Sequence, residues 1–312
     1  MDEKIIKQIF LQNNLGEVKF VKKIEIGFTN KVYSINDEFI LKVCGDLDNE
    51  EKFGREVFFY DFFKDKIPVP KIIVYDNSKK IYGKFFMIYH KIQGDNLYSK
   101  WHLMNNSERK NIIKQLCAIL RTINESSYEK FTKKFKLNSL VNWHDKILNQ
   151  IQNSLKKIEK KKIISPKFIQ AIKNFVETNH NVLTEQKITL VYWDAHFDNI
   201  LIKENKIVGI LDFERTELSS IDFTLDIIKR MVHYPKIYAS EEFEKFVKKE
   251  DYSQLLVWFR EFYPELFKFK NLDKRLDLYS VKYDLRLLLD FPKSKDLKQR
   301  LAKTVKFSSP TF

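Results

Sequence analysis

Glycine, proline and cysteine are scarce in this 312-residue chain, at seven, seven and two residues. So little glycine and proline leaves no room for a low-complexity linker. Two cysteines, Cys44 and Cys117, are too few for a disulfide framework or a zinc cage, and they fit a reducing compartment. No apolar run approaches the roughly 18 residues of a membrane span. The opening stretch MDEKIIKQIF lacks the apolar core of a secretion signal. These absences predict a cytoplasmic protein with no membrane partner.

What is present is length and positive charge. A chain of this size buries a large core and suits two lobes better than one. The formal net charge is +14, which raises nucleic acid as a partner. Most lysines are scattered, however, and the one dense run, Lys156, Lys157, Lys160, Lys161 and Lys162, reads as an exposed helix face. No RNA-binding aromatic signature stands beside it, so a lysine-rich surface on an anion-binding monomer is the better expectation. The 27 phenylalanines accompany abundant Lys, Ile and Asn, a coding bias rather than an aromatic function.

Residues 3–14 read as a short amphipathic helix. Three strand-like runs follow, Val18–Ile26, Lys31–Ile35 and Phe39–Val43. Asn36-Asp37 makes a tight turn between the last two. Connections this short force an antiparallel meander. Residues 49–65 change to helical period through Phe53, Glu56, Val57, Tyr60 and Phe63, and Pro68 and Pro70 end the helix. Two more strands, Lys71–Tyr75 and Lys84–Tyr89, complete a five-stranded sheet. After Gly94 the pattern is helical: a helix capped by Asn105 or Ser107, then Lys146–Lys160 and Pro166–Asn179. A β island, Thr189–Trp193, Ile200–Lys203 and Ile207–Leu211, interrupts before further helices. The expected fold is α+β and bilobal, with residues 1–92 as a β-rich lobe and 93–312 as a larger helical lobe holding a small β insert.

The sharpest chemical signal is Asp194-Ala195-His196-Phe197-Asp198-Asn199, followed by Asp212-Phe213-Glu214. Short turns between strands bring Asp194, Asn199 and Asp212 to one rim. Two carboxylates and an amide suit phosphoryl transfer. Mg²⁺ prefers hard oxygens from one or two side chains, with phosphates and water completing its shell. Asn199 and Asp212 supply such oxygens, and Asp194 would align an incoming hydroxyl and accept its proton. Turn-forming Asp and Asn are common at strand ends, so the triad alone decides nothing. Lys42 on the third strand and Glu56 on the following helix add weight, because an ion pair between them would hold an ammonium against the nucleotide phosphates.

The series Gly27-Phe28-Thr29-Asn30-Lys31-Val32-Tyr33, Lys42, Arg55-Glu56, Gly94, Asp194-x4-Asn199 and Asp212-Phe213-Glu214 resembles the aminoglycoside phosphotransferase and choline kinase superfamily over roughly residues 20–230. The resemblance implies a protein-kinase-like fold and transfer of the γ-phosphate of ATP or GTP to a substrate hydroxyl with Mg²⁺. It implies Asp194 as base, Asn199 and Asp212 as Mg²⁺ ligands, Lys42 on the phosphates and Glu56 positioning Lys42. The stretch Gly27 to Asn30 would close over the nucleotide, with Thr29 and Asn30 supplying anion contacts. The purine would pair with backbone near His90 and Ile92.

The chain departs from the family where His-Gly-Asp becomes Tyr192-Trp193-Asp194. Tyr192 must then brace the loop differently, and Trp193 would fill part of the acceptor side. Asp222 and Asp226 read as structural, tying the catalytic loop to the first helix of the C-terminal lobe. The acceptor expected first is an aminoglycoside-type antibiotic. Its acidic contacts would come from Asp198, Glu214, Glu217, Glu261 and Glu265. Choline or ethanolamine, a sugar or another metabolite is the alternative; a choline-type amine would want an aromatic cage from Trp143, Trp193, Trp258 and Tyr263. A non-catalytic kinase-fold binding protein and a basic RNA-binding protein are the competing classes.

Overall fold

The structure is a computed structural model that describes residues 1–24, 30–45, 49–138 and 141–308. In chain order the first elements are α1 (Glu3–Gln12), β1 (Val21–Ile24), β2 (Lys31–Ile35), β3 (Phe39–Val43), α2 (Glu50–Phe63), β4 (Ile72–Asp76) and β5 (Phe86–His90). There follow β6 (Asp95–Asn96), α3 (Leu97–Trp101), α4 (Asn106–Glu125), α5 (Glu129–Lys134), α6 (Trp143–Lys160) and α7 (Pro166–Asn179). Next are β7 (Ile188–Tyr192), β8 (Ile200–Lys203), β9 (Lys206–Ile210), β10 (Thr216–Ser220) and α8 (Thr224–His233). The chain closes with α9 (Glu241–Glu244), α10 (Leu255–Phe262), α11 (Leu272–Asp290) and α12 (Lys295–Thr304). Backbone contacts divide it into two compact units. The first is Met1–Ile123 with Tyr192–Thr216 and Arg230–Phe262; the second is Asn124–Val191 with Glu217–Lys229 and Tyr263–Phe312.

In the first unit the five predicted strands form one antiparallel sheet in the order β1-β2-β3-β5-β4. Asn36 and Asp37 both have positive φ, 53° and 58°, the geometry a two-residue hairpin turn demands. The Asn36 side chain accepts from the backbone of Lys19 and Phe20 and donates to Glu17, so the turn also pins the approach to β1. Strand alternation sends Phe39, Leu41 and Val43 to the face covered by Ile6, Ile9 and Phe10 of α1. Lys42 therefore lies on the opposite face, where it meets α2. Phe53, Glu56, Val57, Phe59, Tyr60 and Phe63 form the buried side of that helix.

The small sheet β6-β8-β9 follows. A Cβ built on Gly94 would lie 2.8 Å from Val208 Cγ2 and 3.0 Å from the Ile202 carbonyl oxygen; the missing side chain lets the chain enter β6 close to β8 without pushing either aside. The α4 start is a reciprocal cap. Asn105 Oδ1 accepts from Ser107 and Glu108 N–H, and Glu108 returns a carboxylate to Asn105 N–H. Asn105, not Ser107, is the capping residue.

In the second unit α6 buries Trp143, Ile147, Ile151, Leu155 and Ile158, a helical-period stripe. The lysines of its last two turns and beyond are exposed, as the charge run predicts. Asp222 is fully buried and accepts from Arg275 Nε at 2.7 Å, Arg275 Nη2 at 2.9 Å, Tyr279 Oη at 2.9 Å and Ser220 Oγ at 2.5 Å. Its role is structural, as expected, but it anchors α11 rather than the catalytic loop. β6 and α3, at two and five residues, are too short to stand out in the sequence, and β10 (Thr216–Ser220) was not expected. Among the described residues no helix is long and apolar enough to cross a membrane, and no disulfide joins the two buried cysteines.

Candidate active site

All described residues of the candidate site belong to the first unit. Lys42 is 7% exposed and Glu56 fully buried. The Lys42 ammonium donates to both Glu56 oxygens, at 2.8 and 2.6 Å. Burial works to lower the Lys42 pKa, but the carboxylates of Glu56 and Asp212 outweigh it and hold the lysine above its ordinary value. The ammonium is therefore a fixed positive charge. Tyr60, one turn after Glu56 on α2, donates to Glu56 Oε1 at 2.6 Å and accepts the backbone N–H of Asp212 at 3.0 Å. The helical period places Tyr60 on the Glu56 face, which was the signal for it, but nothing in the sequence assigned it a partner.

The catalytic-type loop runs from the end of β7 through Trp193 and Asp194 to a 3-10 turn at Phe197–Asn199 and into β8. The Asn199 amide donates to the Asp194 carbonyl at 2.9 Å and approaches His196 Nε2 at 3.3 Å. The Asn199 carbonyl in turn accepts from Leu211 N–H at 2.9 Å, which joins the two turns carrying Asn199 and Asp212. Tyr192 replaces the family histidine with a different brace. Its phenol donates to the Leu211 carbonyl at 2.6 Å, and its ring stacks on Phe213 at 4.7 Å. Phe213 also packs against Phe59, Tyr60 and Phe63 of α2.

Asp194 is 9% exposed. His196 Nε2 lies 3.4 Å from one carboxylate oxygen and Arg215 Nε 3.8 Å from the other. Burial raises the Asp194 pKa above the ordinary aspartate value; His196 and Arg215 pull against it, and Asp212 adds to the rise. A carboxylate so placed is a stronger proton acceptor than an exposed one. Trp193 is buried, with the Arg215 guanidinium 5.6 Å from its ring centre. Its bulk is therefore packed away rather than left bare on the acceptor side.

Asp212 has φ 59°, a left-handed conformation that Asp tolerates better than most residues. Its Oδ1 is buried and takes no hydrogen bond. An orphaned carboxylate oxygen is costly unless a cation meets it. The Asn199 contacts use the amide nitrogen, which leaves its hard oxygen to a cation. Asp212 and Asn199 thus fit Mg²⁺. Among the described residues no group of three or more His, Cys, Asp or Glu forms a metal cage, and an ion that keeps phosphate and water ligands needs none.

Of the remaining expected contacts, Thr29 lies outside the described residues, with Gly27 and Phe28. Asn30 Oδ1 accepts from Gly45 N–H at 3.3 Å, and its Nδ2 donates to Glu214 Oε2 at 3.5 Å. Burial raises the Glu214 pKa, and Asp212 adds to it. His90 ends β5 and stacks on Phe39 at 5.1 Å. The next backbone donor, Lys91 N–H, is occupied by the Glu38 carbonyl at 2.7 Å. Ile92 packs its side chain on Gly209, where an added Cβ would lie 2.9 Å from Ile92 Cδ1.

The acceptor candidates divide. Glu261 pairs with Lys110 at 2.9 Å and Glu217 with Lys146 at 2.6 Å. Glu214 is buried, and Asp198 accepts from Ser240 at 3.4 Å. Glu217 and Glu265 belong to the second unit and the other three to the first. Trp143, Trp193, Trp258 and Tyr263 are all buried, so they cannot line an open cage for an amine; the periodicity that buries them is that of ordinary core.

The model of a phosphotransferase enzyme family matches residues 21–226, more than half of the chain. No curated protein sequence matches it. Among solved structures the chain is similar to ADP-bound aminoglycoside phosphotransferase APH(2″)-Ib, at 17% identity and TM-score 0.71 over 99% of this chain and 98% of that one. It is similar to APH(2″)-IIa in its streptomycin–ATP ternary complex, at 17% identity and TM-score 0.71 over 98% of each chain. It is also similar to a thermostable mutant of APH(4)-Ia in ternary complex with AMP-PNP and hygromycin B, at 12% identity and TM-score 0.68 over 98% of this chain and 99% of that one. The fold is that of the kinase-like phosphotransferases, and the chain belongs to the phosphotransferase enzyme family.

Proposed function

We propose that this phosphotransferase moves the γ-phosphate of ATP or GTP onto a hydroxyl of a small molecule. The observation that carries the reading is the meeting, within one compact unit, of a Lys42–Glu56 pair with Asp212 through Tyr60, beside the buried carboxylate of Asp194. Residues 1–92 then serve as the nucleotide lobe and 93–312 carry the catalytic loop and acceptor contacts. Lys42 meets the phosphates, held by Glu56. Thr29 and Asn30 close over them, and backbone near His90 and Ile92 takes the purine. Asn199 and Asp212 hold Mg²⁺, which when bound neutralises charge on the phosphate oxygens. Asp194 aligns the acceptor hydroxyl and takes its proton as the new P–O bond forms, while the bond from the γ-phosphorus to the bridging oxygen breaks and the nucleoside diphosphate leaves. The nucleotides bound in the similar structures support this use of the first lobe.

An aminoglycoside-type antibiotic, modified in a resistance reaction, is the first acceptor class. The streptomycin and hygromycin B complexes of similar folds support it. A neutral or anionic hydroxyl metabolite, such as a sugar, is the second, favoured by Arg215 standing 3.8 Å from Asp194: a guanidinium beside the base repels a polycation and welcomes an anion. The deciding experiment is a coupled assay for nucleoside diphosphate release with ATP and with GTP, across aminoglycosides and uncharged or acidic alcohols, with Asp194→Asn as control. Product formation abolished by Asp194→Asn supports the reading. An absence of Mg²⁺-dependent stabilisation by either nucleotide sinks it.

A further inference from the structure

Tyr60 is almost fully buried, and its hydroxyl has two partners in the site. It donates to Glu56 Oε1 at 2.6 Å and accepts from Asp212 N–H at 3.0 Å. A hydroxyl offers one hydrogen and two lone pairs. An ionised carboxylate only accepts and a backbone N–H only donates, so the two bonds do not compete. Glu56 directs the hydrogen toward itself and thereby turns a lone pair toward Asp212. The ring is held independently, against Tyr89 at 6.1 Å and Phe213 at 5.8 Å between ring centres.

The far end of this relay is a residue in the left-handed region. Asp212 has φ of 59°, a conformation that Asp adopts more readily than most residues but at a modest cost that a backbone hydrogen bond helps offset. The near end is the charge pair: the same Glu56 carboxylate holds the Lys42 ammonium with both oxygens. Lys42, Glu56, Tyr60 and Asp212 therefore form one continuous hydrogen-bonded chain from β3 through α2 to the turn after β9.

Resting on the reading in which Lys42 meets phosphates and Asp212 a cation, we propose that Tyr60 is a positioning residue whose hydroxyl seats the Asp212 backbone only when the Glu56 carboxylate is in place. The phosphate anchor and the cation ligand are then set together. Displacing α2 so that Glu56 leaves Lys42 also withdraws the acceptor of the Asp212 N–H. Tyr60 touches neither substrate nor ion in this scheme and acts through Asp212.

The test compares the purified full chain with Tyr60→Phe, which keeps the ring contacts and removes the hydroxyl. Hydrogen exchange of the Asp212 amide is read first, without any ligand. In the wild type this amide is expected to be protected, and in Tyr60→Phe to exchange roughly 10- to 100-fold faster, the scale of one buried hydrogen bond left unmade. Mg²⁺ titration of nucleotide-induced thermal stabilisation is read second. Half-saturation is expected to shift upward by about tenfold, while nucleotide binding without Mg²⁺ stays within about twofold. A merely structural tyrosine would lower the melting temperature without moving the Mg²⁺ midpoint relative to Mg²⁺-free binding. An unprotected Asp212 amide in the wild type overturns the proposal without recourse to any variant. So does an unchanged Mg²⁺ midpoint in Tyr60→Phe, even if the wild type is an active kinase. A wild type that no Mg²⁺–nucleotide stabilises defeats the functional reading, and the proposal with it.

Discussion

The Tyr192 hydroxyl donates to the carbonyl of Leu211 at 2.6 Å, one residue before Asp212. The bond ties the strand that delivers Asp194 to the turn that delivers Asp212. It answers how a tyrosine serves where the family has histidine. Tyr192→Phe keeps the stack on Phe213 and loses one hydrogen bond. Stability is expected to fall by about 0.5–1.5 kcal/mol, and turnover by more than the stability loss explains. Denaturant unfolding and kcat on the same preparations check this; unchanged kcat would deny the brace any part in placing the loop.

Asp194→Asn is expected to lower kcat by roughly 10²- to 10⁴-fold, the contribution of a positioned base, with nucleotide affinity nearly unchanged. Because folding raises the Asp194 pKa through burial, its ionised form is less favourable in the folded chain than in the unfolded one. The stability it contributes is full below the ordinary aspartate pKa and is lost as pH rises through the folded value. An asparagine stays neutral, so at pH 7 the variant is expected to be no less stable than the wild type. The same shift sets the acid limb of kcat/KM above the ~3.9 of an exposed aspartate. An acid limb at or below that value would remove the buried carboxylate from the mechanism.

Lys42→Met leaves Glu56 buried without its cation, and breaking such a pair costs about 3–5 kcal/mol. Adding Glu56→Leu is expected to restore much of that stability and none of the activity. Thermal melts of the single and double variants measure the first part and a coupled assay the second.

Asp212→Asn keeps a side chain tolerant of the left-handed backbone but removes the charge. Mg²⁺-dependent stabilisation by nucleotide is expected to disappear while the melting temperature without ligand holds within a degree or two. Asp212→Ala, strained at φ 59°, is expected to melt lower as well. Equal Mg²⁺ responses in wild type and Asp212→Asn would remove Asp212 from the ion.

Arg275→Met tests the second unit alone. It strips Asp222 of its cation at a fully buried position, for an expected loss of about 3–5 kcal/mol. The KM for nucleotide in the folded fraction is expected to stay unchanged. A melting temperature that does not move would mean the pair is replaceable by packing.

The five-stranded sheet was legible because turn residues and period-2 runs coincide: β2 and β3 fall on Lys31–Ile35 and Phe39–Val43 as expected. The short turns joining β7, β8 and β9 were legible from the Asp194-x4-Asn199 spacing, but it took Lys42, Glu56 and the family resemblance to read them as a site. Tyr60 and Arg215 were not, because their roles come from the approach of α2 and of the turn after β9, separations of about 150 and 20 residues that no local period encodes. The aromatic stretch around Trp258 misled in one reading for the same reason. Composition cannot tell a ring stacked on a ligand from a ring in the core, and burial decided it.

Gly94 touches no part of the chemistry, yet the register of the site runs through it. With no Cβ it lets β6 lie against Ile202 and Val208, and the strand it abuts begins at Ile200, directly after Asn199. A Cβ there would stand 2.8 Å from Val208 Cγ2 and 3.0 Å from the Ile202 carbonyl oxygen, so any side chain presses on the ribbon that leads back to the amide. Position 94 is thus a tuning screw for the active centre, reachable by mutation without entering it.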